Sequence, residues 1–230
     1  MTHAPSHVRL WVVTVVGLVI DLWSKQWAFE TLKHDESRSL MGGFLNLQLS
    51  LNPGALFGIG AGFAPIFVGA SVLALLFVLY LFANTGASRW TMHIALGLVL
   101  GGAIGNLYDR STQEAFVAYT PAGRDIGLLV RESDSHVELA DFPSGGNART
   151  VRLIKDAPSG MQPVVRDFIK IEARVAGVPL WPWIFNIADA LLVVGVILLL
   201  LNFWFDRRHR EHSSGQDVES VRASGATGHA

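Results

Sequence analysis

Four long apolar runs constrain this 230-residue chain more than any other feature. Each approaches the roughly 20 residues that a helix needs to cross the hydrocarbon core of a bilayer. A segment in lipid must satisfy its backbone hydrogen bonds internally, which favours helices for runs of this length. We therefore predict a membrane α-helical fold, a bundle of four transmembrane helices at about Val8 to Phe29, Ala64 to Ala83, Trp90 to Leu107 and Trp183 to Phe205.

The composition excludes several classes of protein. Half of the residues are apolar and 16% are charged, so the chain is typical of a small membrane protein rather than an ordinary soluble domain. The net charge of -1 argues against a nucleic-acid partner. The absence of cysteine excludes disulfides and thiolate chemistry. The eight histidines are scattered, so we expect neither a metal site nor a cofactor.

The positive charges predict how the helices are oriented. Arg9, Arg89 and the cluster at 207–210 fall on one side of the membrane if the helices alternate in direction, and the positive-inside rule makes that side cytoplasmic. Both termini are then cytoplasmic. The first run carries Asp21 and Lys25 and has no clear cleavage site after it, so a retained helix is favoured over a secretory signal.

The two outer loops are predicted to contain β-structure. Residues 44–52 alternate apolar and polar side chains, the period of a half-buried strand, and Pro53 and Gly54 supply a turn that ends it. Short apolar runs between turn residues predict a β-rich extracytoplasmic insertion at 112–160, between the third and fourth helices. Residues 211–230 have the composition of a disordered cytoplasmic tail. We expect one membrane domain over 1–230.

Polar residues at the outer ends of the helices are the candidates for chemistry. Asp167 precedes the last helix and Asp189 lies near its start; if they meet, repulsion and desolvation would make them share one proton. Two separately satisfied acids remain the alternative. Asp21 and Lys25 are four residues apart on one helix face, which favours a structural ion pair over a catalytic role.

Two further patterns lie on the third and fourth helices. Gly97, Gly101 and Gly105 form a small-residue face that favours close helix packing. Asn106, Asp109 and Arg110 follow at the outer end, where they could orient a substrate backbone or anchor the helix at the interface. Asn186 and Asp189 are three residues apart and should share one face of the fourth helix.

Five motifs together resemble the lipoprotein signal peptidases, the signal peptidase II family of bacterial membrane aspartyl proteases. They occur in the family's order, and they cover the membrane core and the first outer loop. The motifs are Asp21 with Lys25, Asn52-Pro-Gly-Ala-Leu-Phe57, Gly105-Asn-Leu-Tyr-Asp-Arg110, Val165-Arg-Asp-Phe168 and Phe185-Asn-Ile-Ala-Asp189.

The resemblance implies an aspartic endopeptidase that removes the signal peptide from diacylglyceryl-modified prolipoproteins, on the amino side of the lipidated cysteine. It implies Asp167 and Asp189 as the catalytic dyad at the extracytoplasmic face. Its partners would be the diacylated prolipoprotein substrates and membrane lipids, and we expect a monomer. The implied substrate-binding residues are Asn52, Gly54, Asn106, Arg110, Asn186 and Ala188, and the supporting residues are Asp21, Lys25 and Asp109.

The sequence departs from the family between Arg110 and Asp167, where the connection is longer by very roughly 45 residues. A surface decoration is our default interpretation, since loops tolerate insertions at modest entropic cost; a substrate clamp and a partner contact are the alternatives. Two other functions remain open: a proton-coupled carrier or channel, because intramembrane acids also mark ion pathways, and a noncatalytic scaffold.

Overall fold

The computed structural model describes the backbone of residues 4–33, 36–54, 64–179 and 181–226. These ranges contain four α-helices and eleven strands. The helices are α1 (Ala4–Thr31), α2 (Ala64–Ala83), α3 (Trp90–Thr112) and α4 (Ile187–Ala226). The strands are β1 (Arg38–Leu40), β2 (Leu45–Asn52), β3 (Glu114–Thr120), β4 (Gly123–Glu132), β5 (His136–Ala140), β6 (Arg149–Arg152), β7 (Gly160–Pro163), β8 (Val165–Ile171), β9 (Arg174–Val175), β10 (Val178–Pro179) and β11 (Ile184–Phe185).

Three helices of the described part are long and apolar enough to cross a membrane: Ala4–Thr31, Trp90–Thr112 and Ile187–Arg207. In α2, Val72–Ala83 forms a shorter apolar helix. All four helices lie where the apolar runs predict them, and the spans in α1 and α4 leave most of their apolar surface exposed. This is the distribution expected when lipid, rather than protein, covers the outside of a bundle.

Small residues bring α3 against its neighbours, as the glycine pattern predicts. A Cβ added at Gly97 would lie 2.8 Å from the Leu10 carbonyl oxygen of α1, and one at Gly101 would lie 3.0 Å from that of Thr14. On the other side, a Cβ at Gly102 would lie 2.5 Å from the Ala188 carbonyl oxygen of α4. The backbones of α1 and α4 therefore pack directly on α3.

The start of α4 differs from the prediction. The fourth apolar run begins at Trp183, but the helix begins only at Ile187, because Ile184 and Phe185 form β11 and pair with Lys170 and Ile169 of β8. At its other end, α4 continues as a helix through Ala226, where the composition predicts disorder from 211 onward. This segment contains no proline, so helical hydrogen bonding can continue beyond the apolar region. Residues 227–230 lie outside the described part.

Two sheets lie at the end of the bundle where α1 and α3 end and α4 begins. The first has the order β1-β2-β8-β11 and is antiparallel throughout. Its strand β2 confirms the alternating pattern, since Leu47, Leu49 and Leu51 are buried while the polar residues between them are half-buried. The second sheet, β6-β5-β4-β3-β7, is formed by residues between α3 and β8. A two-stranded hairpin of β9 and β10 completes this region.

Candidate active site

Asp167 and Asp189 come from different elements and face the same polar site. Asp167 lies in the middle of β8 and is 2% exposed, whereas Asp189 lies in the first turn of α4 and is partly buried. Their charges act on each other, since Asp189 is among the groups that raise the pKa of Asp167. The fold thus brings together the two acids that are 22 positions apart in sequence.

Asn186 connects the two aspartates. Its Nδ2 donates to Asp167 Oδ1 at 2.6 Å, and its backbone N–H donates to Asp189 Oδ2 at 3.3 Å. Its Oδ1 in turn accepts the backbone N–H of Asp189 at 3.0 Å. One fully buried amide therefore fixes the position of both carboxylates.

The contacts between Asn186 and Asp189 form a helix cap. A side chain at the position before a helix can accept the N–H three residues later, while the residue there returns a hydrogen bond to the first backbone N–H. Asn186 therefore caps α4 rather than lying on its face, which corrects our expectation of a shared helical face. The spacing Asn-x-x-Asp is the signal in the sequence that indicates this cap.

Asp21 of α1 satisfies another backbone donor at the same helix end. Its Oδ1 accepts the Ala188 N–H at 2.8 Å, and a carboxylate at a helix N-terminus also interacts favourably with the helix dipole. The other oxygen of Asp21 accepts a hydrogen bond from Lys25 Nζ at 2.8 Å. Both side chains are fully buried, so the predicted ion pair exists and positions α4 as well.

Asn106 carries this network to the site. Its Oδ1 accepts from Lys25 Nζ at 3.1 Å and from Asn186 Nδ2 at 3.1 Å, and its Nδ2 donates to Asp189 Oδ1 at 2.8 Å. The Lys25 ammonium also lies 3.5 Å from Asp109 Oδ2. The buried cation is thus one amide away from Asp189, surrounded by oxygen atoms from two helices.

Arg166 is the functional candidate that sequence reasoning missed. Its Nη2 donates to Asp109 Oδ1 at 2.8 Å, its backbone N–H donates to Asp109 Oδ2 at 3.0 Å, and its Nη1 donates to Gln26 Oε1 at 3.0 Å. Alternation along β8 sends Arg166 to the face opposite Asp167. A signal was present: an arginine that follows Val164 and Val165 in a strand with a buried pattern needs a buried partner.

Asn52 and Arg110 place the end of β2 and Gly54 next to Asp167. Asn52 Nδ2 donates to Asp167 Oδ2 at 3.1 Å, and its Oδ1 accepts the Gly54 N–H at 3.0 Å. Arg110 Nη2 donates to the Gly54 carbonyl oxygen at 2.8 Å, and its charge interacts with both site aspartates. The part of the motif at 55–57 lies outside the described residues.

Ala188 differs from the other predicted site residues. The Ala188 side chain is fully buried. A Cβ added at Gly105 would lie 3.4 Å from the Ala188 Cβ. Its backbone N–H is already bound by Asp21. Ala188 of α4 therefore packs against α1 and α3 and presents no exposed surface.

The electrostatics of the site set the protonation of Asp167. Burial raises the pKa of this carboxyl well above its usual range, and the negative charge of Asp189 raises it further. The donors on Asn52 and Asn186 act in the opposite direction but do not cancel the effect of burial. A carboxyl with a raised pKa beside a second acid favours a pair that shares one proton.

Two depressions adjoin the aspartates. A cleft of about 320 Å³ contains Asn52 and Asp167, with Arg124 of the insertion in its wall. A groove of about 260 Å³ contains Asp189 and is otherwise lined by apolar residues that include Val193 and Val194 of α4. Among the residues that the structure describes, no group of three or more histidine or acidic side chains is arranged to hold a metal ion.

The fold and site define a helical membrane protein with a carboxylate pair where its helices meet a β-sheet. The family model for signal peptidase II matches residues 13–205. The chain therefore belongs to the signal peptidase II family, a family of membrane proteases.

Relatives and a solved structure agree with this assignment. The lipoprotein signal peptidase of Rhodopirellula baltica is 29% identical over 217 residues, which cover 92% of this chain and 78% of that protein. The lipoprotein signal peptidase of Desulfitobacterium hafniense (strain DSM 10664 / DCB-2) is 27% identical over 203 residues, 88% of this chain and 97% of that one. A bacterial membrane enzyme solved by the in meso method shares the fold, with a TM-score of 0.58 at 23% identity over 86% of this chain and 88% of that chain.

Proposed function

We propose that this protein removes signal peptides from diacylglyceryl-modified prolipoproteins, cutting on the amino side of the lipidated cysteine with Asp167 and Asp189 as an aspartic dyad. The observation that carries the proposal is Asn186, whose side chain and backbone hold both carboxylates at once. Family membership supports the peptidase activity. The substrate is proposed because the relatives are lipoprotein signal peptidases.

The proposed mechanism uses one protonated and one ionised aspartate. The ionised carboxylate removes a proton from water, and the protonated one donates a hydrogen bond to the scissile carbonyl oxygen. The resulting tetrahedral intermediate collapses as the leaving amine gains a proton, and no covalent acyl-enzyme forms. The raised pKa of Asp167 supports its being the acid at the start of the cycle.

The remaining polar residues have positioning and binding roles in this proposal. Asn52, Asn106 and Asn186 donate to the carboxylates, while Arg110 holds the Gly54 carbonyl beside them. The buried ion pairs of Lys25 with Asp21 and Asp109 support these residues from the interior of the helix bundle. The full burial of Ala188 favours a packing role over substrate contact.

The apolar groove beside Asp189 supports entry of substrate from the membrane. Val193 and Val194 lie in the span Ile187–Arg207, so a lipid-embedded substrate could reach Asp189 along α4. We propose a monomer in a bacterial inner membrane, with four spans, both termini cytoplasmic and the dyad at the outer face. Arg9 donates to the Ala87 carbonyl at 3.1 Å, which supports one basic end of the bundle away from the dyad.

The test is cleavage of a diacylated prolipoprotein peptide by purified protein in lipid. Asp167→Asn and Asp189→Asn each remove a titratable group at nearly constant size, so turnover should fall at least about a thousandfold. Asp134→Asn, an exposed aspartate of the insertion, is the matched control and should keep wild-type turnover. Each variant is checked for folding by its thermal transition.

Substantial cleavage by either folded Asp→Asn variant at the dyad would contradict the assignment of that residue. A wild-type protein that leaves the peptide intact, under conditions where a relative cuts it, would contradict the proposed substrate.

A further inference from the structure

The insertion forms part of the wall of the cleft at Asp167. Arg124 and Ile126 of β4 line the same cleft as Asn52 and Asp167. The cleft also includes Trp183, from the segment that leads into β11. The insertion therefore reaches the site rather than lying only on the outer surface.

Strand geometry explains why Arg124 faces the cleft. Arg124 pairs with Tyr119 next to the turn that joins β3 to β4, so it lies at the tip of this hairpin. Alternation along a strand puts Arg124 and Ile126 on one face and Asp125 on the other. On that other face, Asp125 Oδ1 accepts a hydrogen bond from Arg149 Nη2 at 2.6 Å.

The guanidinium of Arg124 has no protein partner in the part of the chain that the structure describes. It is exposed, and it makes no side-chain hydrogen bond or ion pair there. The neighbouring acid, Asp125, is neutralised by Arg149 and does not compete for it. The five donors of a guanidinium match the geometry of a carboxylate, which can accept two of them at once.

If the protein has the function proposed above, the two depressions indicate how the substrate chain is oriented in the site. The groove at Asp189 is apolar and follows α4 into the membrane, so it fits the lipid-embedded part of a substrate. The cleft at Asp167 lies between the two outer sheets and fits the water-soluble part. The chain that follows the lipidated cysteine then passes Arg124.

We propose that Arg124 is a specificity residue that recognises an acidic side chain among the first few residues after the cleaved bond. The insertion thus gives this peptidase a preference for lipoproteins whose mature chain begins with aspartate or glutamate nearby. An aspartate in the peptide supplies a carboxylate partner for Arg124, which makes no ion pair with Asp167 or with any other acid in the described part of the chain.

The test compares diacylated peptides that differ at a single position. Aspartate, asparagine or lysine is placed in turn at the second, third and fourth residues from the scissile bond, and kcat/KM is measured in zwitterionic lipid so that no anionic headgroup competes. Wild-type protein should prefer aspartate over asparagine by about fivefold at one position, the upper range for an exposed ion pair, and should cut the lysine peptide least well. The preference should fall as salt screens the pair.

Variants of Arg124 assign the preference to this side chain. Arg124→Gln should bring the aspartate to asparagine ratio close to one, and Arg124→Glu should invert the order of aspartate and lysine. Arg131→Gln changes an exposed arginine on the same strand that does not line the cleft, and it should keep the wild-type ratio.

Equal kcat/KM values for aspartate and asparagine at every position in wild type, or an unchanged preference in Arg124→Gln, would overturn this inference and leave the peptidase function standing. Failure of wild type to cut any of the peptides would instead contradict the proposed function, and the inference with it.

Discussion

Three asparagines, rather than cations, hold the two site carboxylates. Asn52 and Asn186 donate to Asp167, and Asn106 donates to Asp189. A directly bound arginine or lysine would strongly favour the ionised form of a carboxylate, whereas an amide fixes its position with a weaker effect on its pKa. The cation Lys25 reaches Asp189 only through Asn106. This arrangement suits a pair in which one acid must remain protonated.

Two nearby charged residues, Asp109 and Arg166, form an ion pair with each other rather than with Asp167 or Asp189. Asp109 accepts from both the backbone and the side chain of Arg166, and both residues are almost fully buried. A buried ion pair of this kind adds little net stability, but removing one partner costs roughly 3–5 kcal/mol because the other charge is left buried alone. Here the pair joins α3 to β8, the strand that carries Asp167.

For the residues of the site, we predict that Asn186→Ser changes the pH dependence of kcat/KM. Serine can still accept the Asp189 N–H as a helix cap, but it lacks the amide that donates to Asp167. That donor lowers the pKa of Asp167, so its loss raises the pKa further. Because Asp167 is the proposed acid and must stay protonated, activity should persist to a higher pH on the basic limb of the profile than in wild type. The measurement is kcat/KM against pH.

Asn202→Ser is the control for this prediction. Asn202 Oδ1 accepts from Thr91 Oγ1 at 2.7 Å, and it lies 13 residues along α4 from Asp189. Its pH profile should match that of wild type. An unchanged basic limb in Asn186→Ser would show that the Asn186 amide does not set the protonation of Asp167.

Among the secondary-structure elements, close packing of α3 against α1 and α4 positions the site. Gly102 of α3 faces the first turn of α4, and Gly105 faces the Asp21 side chain of α1. Any side chain at these positions would move α4, whose first turn carries Asp189. The precision of the dyad therefore depends on the absence of side chains along one face of α3.

At this scale we predict that Gly102→Ala separates α3 from α4. Its Cβ would lie 2.5 Å from the Ala188 carbonyl oxygen and 2.9 Å from Leu192 Cγ, so the helices must shift. The free energy of unfolding should fall by about 1–3 kcal/mol, as for overpacked cores. Turnover should fall at least about tenfold, because small displacements of reacting groups are costly. Thermal unfolding in detergent and peptide cleavage measure the two effects.

Gly69→Ala is the matched control. Gly69 also lies within a helix, α2, but an added Cβ there has no atom within 4 Å. Alanine is a better helix former than glycine, so this variant should be as stable as wild type or slightly more so. Equal behaviour of the two variants would show that contact between α3 and α4 is not what positions Asp189.

For the whole molecule, the insertion packs on the membrane core instead of standing free. Phe142 of the insertion makes an edge-to-face contact with Phe29 of α1, with ring centroids 6.1 Å apart. Both belong to a buried cluster that also contains Leu49 and Phe168 of the sheet β1-β2-β8-β11, the inner sheet, which lies next to the helices. The ends of the insertion meet, since the Val164 N–H donates to the Gln113 carbonyl at 3.0 Å. These contacts hold β4 over the cleft.

At the scale of the whole chain we predict that the insertion is extracytoplasmic and the connection between α2 and α3 is cytoplasmic. The chain has no cysteine, so a single cysteine can be labelled without background. In intact cells, a membrane-impermeant maleimide should label Ser133→Cys once the outer membrane, if present, is permeabilised. Ser88→Cys should be labelled only after the inner membrane is opened. Both serines are exposed. The opposite pattern would invert the proposed orientation.

The sequence by itself determined the approximate helix positions, and its motifs contain most of the polar residues that lie around Asp167 and Asp189. Apolar length predicts the helices, because lipid requires about 20 apolar residues, and alternation over 44–52 predicts β2 because one face of that strand is buried. The spacing of Gly97 and Gly101 predicts the packed face of α3, which the structure confirms. Local patterns are sufficient for these features since each depends on residues within a few turns or one strand.

Only the tertiary structure decided which residues meet and where the insertion lies. The pairing of Arg166 with Asp109 joins residues 57 positions apart, and the contact of Asn52 with Asp167 joins residues 115 apart. The start of α4 at Ile187 likewise depends on β8, which pairs with β11 and ends the apolar run as a strand. No local pattern specifies such contacts, because they follow from how α1, α3 and the two sheets pack together. The position of Arg124 at the cleft is decided in the same way, by the docking of the insertion on Phe29 and the inner sheet.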